Sequence, residues 1–116
     1  MTSKPWQLIA LTLLLCSACS RPTNSAAPMP SSSALQSLYL QSCYSCHSRG
    51  ANGAPRSGDR QQWQARLAKG MDTLLDHTIN GYRAMPPRGM CLNCSRDDYR
   101  ALIEFMADLP QNTPSN

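Results

Sequence analysis

Aromatic side chains are scarce in this chain of 116 residues, at 6% of positions with a single Phe. A domain so poor in large rings has little bulk to fill a core, and small domains of this kind lean on a metal, disulfides or a cofactor. Strand patterns are lacking as well. Gly, Pro and Ser interrupt the apolar runs and no stretch alternates convincingly, which points to an all-α domain. Long apolar runs are missing too: Leu8–Leu15 is far too short to cross a bilayer as a helix. Charge is thin, with 11 Lys and Arg against 7 Asp and Glu for a net +4. These charges are scattered along the chain, so no nucleic-acid surface is expected. No internal repeat is visible, and the length bounds the chain to one small domain.

What is present begins with an export signal. Lys4 precedes the apolar run and small residues follow it, as in a secretory signal peptide over residues 1–18. Cys16-Ser17-Ala18-Cys19 resembles a bacterial lipobox. Cleavage before Cys19 would leave it as an acylated N-terminus anchoring the protein in a membrane, since several acyl chains hold where one is marginal. Ordinary cleavage near Ala18 is the alternative, and Cys16 is discarded either way. Residues 19–33 then comprise the lipid-anchor Cys and a Ser/Pro/Ala tether with a reach of roughly 20 Å. The domain is expected over 34–110, followed by a disordered polar tail over 111–116. Export places the thiols in an oxidising compartment.

Four helices are expected. Ser33 caps a first that carries Leu35, Leu38 and Tyr39 and runs into Cys43. Asp59 caps a second with Trp63 and Leu67, ended by Gly70; Asp72 caps a third through Ile79, stopped by Gly81. Ser95 and Asp98 form a capping-box variant for a fourth, which carries Tyr99 to Leu109 and ends at Pro110. Two long irregular loops, Gly50–Gly58 and Tyr82–Cys94, need something to grip, and a flat cofactor would meet that need.

Cys43-Tyr44-Ser45-Cys46-His47 is the CxxCH pattern for covalent attachment of a c-type haem. Thiols on one helical turn can each form a thioether with a haem vinyl group, and the adjacent His47 then serves as proximal axial ligand. Met71, Met85, Met90, Met106 and His77 compete for the opposite face of the iron. Met85 is preferred: it lies off any helical stripe, and Pro86-Pro87 stiffens the backbone after it. Met90 is the runner-up, Met106 reads as core, and His77 reads as a partly exposed or hydrogen-bonded helix residue. A thioether opposite His raises the reduction potential. Trp63 and Arg66, one turn apart, either meet a haem propionate or are simply a core Trp and a solvated Arg.

Together these residues resemble the class I c-type cytochromes, and the cytochrome c5 type in particular, over residues 34–109. The resemblance rests on the CxxCH site, Gly53-Ala54-Pro55, Gly58-Asp59, Trp63 with Arg66, Gly70, Leu74 and Gly81. It rests further on Met85-Pro86-Pro87-Arg88-Gly89 and on Cys91-Leu92-Asn93-Cys94-Ser95. It implies a small class I cytochrome fold of about four helices around one covalent haem c, attached in the bacterial periplasm. It also implies a Cys91–Cys94 disulfide beside the Met loop and a carbonyl at Ala54–Pro55 that accepts the His47 ring proton. Haem contacts from Pro55, Trp63 and Arg66 follow from the same likeness. Ser95 stands where a second attachment motif would need His, so one haem is expected, and Met90 stands where the family commonly has Gly.

With both axial positions filled by protein, the expected function is one-electron transfer rather than catalysis, through brief docking with a redox donor and acceptor at the haem edge. Arg56 and Arg88 would favour an acidic partner. The rivals are a haem domain whose Met yields to peroxide or another small ligand, a four-cysteine metal module, and a thioredoxin-like dithiol. The 44 residues between the two Cys pairs (47–90) far exceed the roughly 15–20 of a zinc ribbon. The dithiol reading lacks the alternating strands of its usual setting.

Overall fold

The computed structural model describes residues 28–110. The signal peptide, Cys19, the tether up to residue 27 and the tail 111–116 lie outside the described residues.

The first helix begins one residue earlier than expected. Ser32, not Ser33, is its N-cap, its hydroxyl accepting the Leu35 N–H at 3.3 Å. Helix α1 (Ser33–Leu38) passes without a break through a π turn (Tyr39–Cys43) into α2 (Tyr44–His47). The wide turn shifts the helical phase just ahead of the attachment motif, a common use of such turns at functional sites. Tyr39 stays fully buried, its ring edge-on to Phe105 at 5.0 Å and to Tyr44 at 5.7 Å.

Asp59 caps α3 (Arg60–Leu67), accepting the Gln62 N–H at 3.2 Å. Helix α4 (Met71–Asn80) is capped by Gly70 and not by Asp72, which sits inside the first turn where its charge favours the positive helix end. Gly81 ends α4 with φ 86°, ψ 152°. Helix α5 (Arg96–Met106) opens on the full capping box: Asp98 N–H to Ser95 Oγ at 3.1 Å, and Ser95 N–H to Asp98 Oδ2 at 2.8 Å. It stops short of Leu109 and Pro110, because Asp108 turns left-handed (φ 56°) and Leu109 N–H returns to the Glu104 carbonyl.

With α1, the π turn and α2 counted as one body, the domain is built of four helices. Among the described residues there is no strand, only a single bridge between Tyr82 and Met85. The core joins Leu35 and Tyr39 to Leu74 and Leu75 of α4 and to Tyr99, Leu102, Ile103 and Met106 of α5. Among the described residues no helix is long and apolar enough to cross a membrane.

Candidate functional site

The helices leave a cavity of about 280 Å³ between the attachment turn and the two long loops. Its lining takes Cys43, Cys46 and His47 from the attachment turn, Pro55 from the first long loop, Trp63 from α3, Leu74 from α4, Leu102, Ile103 and Met106 from α5, and Met85 and Met90 from the second long loop. The structure thus brings together every residue expected to contact the cofactor, Arg66 included.

His47 is buried, and its Nδ1 lies 2.8 Å from the Pro55 carbonyl oxygen. A carbonyl can only accept, so Nδ1 carries the proton and Nε2 keeps its lone pair, the state a metal requires. Burial pulls the His47 pKa below its ordinary value; the Pro55 bond opposes this and the Arg66 charge adds to it. The imidazole is therefore held neutral. Trp63 stacks beside it, ring centroids 5.9 Å apart and planes 24° from parallel.

Cys43 and Cys46 are free, half-buried thiols a single turn apart. Burial pushes the Cys43 pKa up, against a weaker lowering by the Ser42 hydroxyl. Among the described residues there is no strand, so the dithiol reading lacks its usual setting. Cys91 and Cys94 are joined as a disulfide with Cα atoms 5.5 Å apart. Among the described residues no cluster of three His, Cys, Asp or Glu is arranged to hold a metal ion, so the four-cysteine module finds no support.

The Trp63 indole N–H donates to the Arg56 carbonyl at 2.8 Å. Arg56 is paired with Asp59 at 3.1 Å and stays exposed. Arg66 spends one N–H on the Gln62 carbonyl at 2.6 Å and stays on the cavity wall.

Met85 is held by its backbone. Its N–H donates to the Tyr82 carbonyl and its carbonyl accepts the Tyr82 N–H, both at 3.0 Å. Met90 is 70% exposed at φ 69°, a left-handed conformation that glycine adopts without strain. Met106 is buried in the core as well as facing the cavity, while Met71 packs against the core and is not part of the cavity wall. His77 also lines the cavity, but its ring lies flat against Tyr82.

Two residues escaped sequence reasoning. Tyr82 carries both Met85 backbone bonds, and Tyr99 donates its hydroxyl to the Cys91 carbonyl at 2.6 Å. A turn across Tyr82–Met85 had a faint signal in its spacing; the Tyr99 bond had none.

Two thiols on one turn, a neutral imidazole with a free nitrogen and a largely apolar slot fit a covalently held porphyrin, and thereby define a haem-binding domain. Comparison with known proteins agrees. Residues 30–106 match the family model described as cytochrome c oxidase, cbb3-type, subunit III. Cytochrome c5 of Ectopseudomonas mendocina is 42% identical over 74 residues, covering 62% of this chain and 85% of that protein. A mono-haem ferrocytochrome c from Shewanella putrefaciens is 45% identical with a TM-score of 0.58, covering 65% of this chain and 93% of that one. A chain from the electron-transfer complex of nitrite reductase with cytochrome c superposes with a TM-score of 0.59 at 39% identity, covering 66% and 94%. The chain belongs to the class I c-type cytochromes and resembles their cytochrome c5 group. It is a monohaem electron carrier with one covalently attached haem c.

Proposed function

We propose that the chain carries single electrons between periplasmic redox proteins, with iron held by His47 on one side and Met85 on the other and no bond-making chemistry of its own. When bound, the haem supplies one iron that alternates between Fe(III) and Fe(II). The protein's part is positional. Cys43 and Cys46 fix the ring covalently, Pro55 fixes the His47 tautomer, Trp63 and the α5 side chains exclude water, and Tyr82 holds the Met85 backbone. The observation that carries the reading is the His47–Pro55 hydrogen bond, which keeps Nε2 unprotonated on a ring that lines the same cavity as Met85. With His47 and Met85 both holding the iron, little would have to move between oxidation states, which would suit electron transfer and leave no open position for substrate.

Visible spectra of protein matured in a host that attaches c-type haem test this. The Met–Fe(III) charge-transfer band is expected to vanish in Met85→Ala and persist in Met90→Ala; the reverse pattern would make Met90 the ligand. Rapid carbon monoxide binding by the reduced protein at neutral pH would instead favour a displaceable Met and a small-ligand enzyme.

A relative by structure operates in a complex with nitrite reductase, and a transient redox-protein partner is proposed here as well. The signal peptide over 1–18, an acylated Cys19 and a tether that ends before Pro30, which is buried against the domain ahead of the Ser32 cap, extend this reading to a membrane-anchored periplasmic lipoprotein. Detergent-dependent membrane fractionation that is lost in Cys19→Ser is the expected result; an unchanged soluble distribution would remove the anchor.

A further inference from the structure

His77 and Tyr82 form the tightest aromatic contact among the described residues, with ring centroids 3.9 Å apart and planes within 12° of parallel. His77 belongs to α4, a rigid helix whose buried side is Leu74 and Leu75. Tyr82 belongs to the loop, and both of its backbone polar groups are spent on Met85. The chain therefore runs helix, stack, Tyr82, two hydrogen bonds, Met85. Gly81 sits between helix and loop where a Cβ would lie 3.0 Å from the Pro87 nitrogen and 3.2 Å from the Met85 carbonyl oxygen. At φ 86° that position accepts no side chain without strain, so the loop is folded hard against the helix end. Tyr82 is 37% exposed; Lys69 Nζ and the Arg83 guanidinium lie 5.5 and 5.2 Å from its ring centroid, and His77 is its one aromatic neighbour among the described residues.

We propose that the His77–Tyr82 stack is the positioning device that keeps Met85 directed into the haem cavity. It rests on Met85 being the sixth ligand. A loop released from the stack keeps its Met but spends more time turned away, so an added ligand competes better for the iron.

The test uses the haem-loaded ferric protein and imidazole as competing ligand. His77→Ala is expected to bind imidazole roughly 2- to 10-fold more tightly, the range that follows from a stacking energy of about 0.5–1.5 kcal/mol. It should also show a weakened Met–Fe(III) band, while His77→Phe, which retains a flat ring, restores both. Tyr82→Leu, which keeps the backbone bonds and loses the ring, should behave like His77→Ala and serves where the His77 change impairs folding. A lowered melting temperature in His77→Ala with wild-type imidazole affinity and a full band would make the stack merely structural and overturn the proposal. Loosening that His77→Phe fails to reverse would overturn it too. A band that survives Met85→Ala would bring down the ligand assignment itself, an outcome distinct from either.

Discussion

At the scale of single residues, the second fastening of the Met loop is a phenol. Tyr99 projects from α5, is almost wholly buried, and gives its hydroxyl to the Cys91 carbonyl at 2.6 Å. Burial pushes its pKa up, partly offset by the Arg88 charge, so the proton stays on the oxygen and the donor persists across the working pH range. Tyr99→Phe keeps the ring in the core and strands a buried carbonyl, which costs about 1–3 kcal/mol. Urea unfolding of the haem-loaded protein should show a lower midpoint with an unchanged slope. An unchanged midpoint would mean that water replaces the hydroxyl at Cys91. Met90, by contrast, is exposed and held in a left-handed conformation, and its truncation is expected to leave the ligand field alone.

At the scale of elements, local capping chemistry was readable and non-local partners were not. Asp59 and the Ser95–Asp98 box stand out because each acceptor reaches a backbone N–H within three residues. Three serines in succession, Ser31 to Ser33, left the first cap ambiguous by one position, and Gly70 could not be recognised as a cap because it offers no side-chain acceptor. The π turn at Tyr39–Cys43 has no local signature, since it reconciles a core Tyr with an attachment turn that must face elsewhere. At the site, the CxxCH residues and the Met85 loop were legible as motifs. The Trp63–Arg56 bond and the His77–Tyr82 stack depend on how the loops close. The Asp59 cap yields a pH prediction. The Gln62 N–H first, then the Arg56 guanidinium, hold its carboxyl below the ordinary value of 3.8. Because the folded value is the lower one, the contribution is complete above 3.8 and is lost as pH falls through the folded value. Asp59→Asn keeps a capping oxygen but not the charge. Its melting temperature should therefore fall below wild type at neutral pH and converge with it in acid. A constant difference across that range would separate the cap from its charge.

At the scale of the whole molecule, the modest net charge of +4 hides an uneven distribution. The ion pairs of the described residues consume Arg56, Arg60, Arg96 and Arg100 against Asp59, Asp108, Asp72 and Asp76. These pairs are exposed for the most part and add little stability. Their consequence is placement: carboxylates are drawn to the α4–α5 face and the Asp59 and Asp108 corners, whereas Arg66, Lys69, Arg83 and Arg88 line the cavity and no Asp or Glu does. Haem propionates would offset part of this charge, and the remainder would leave the cavity rim positive. Charges on such a rim act mainly on encounter rates, and salt screens them over about 10 Å at 0.1 M ionic strength. Oxidation of the reduced protein by an anionic complex such as ferricyanide should therefore slow as ionic strength rises, and oxidation by a cationic cobalt complex should quicken. Replacing Lys69 and Arg83 together by Gln should flatten both slopes. Arg60→Gln should leave them as they are, because its charge is already paired with Asp108 at 2.9 Å on another face. Equal slopes for the two oxidants would show that electrons leave by a face the cavity cations do not govern, and the case for an acidic docking partner would go with it.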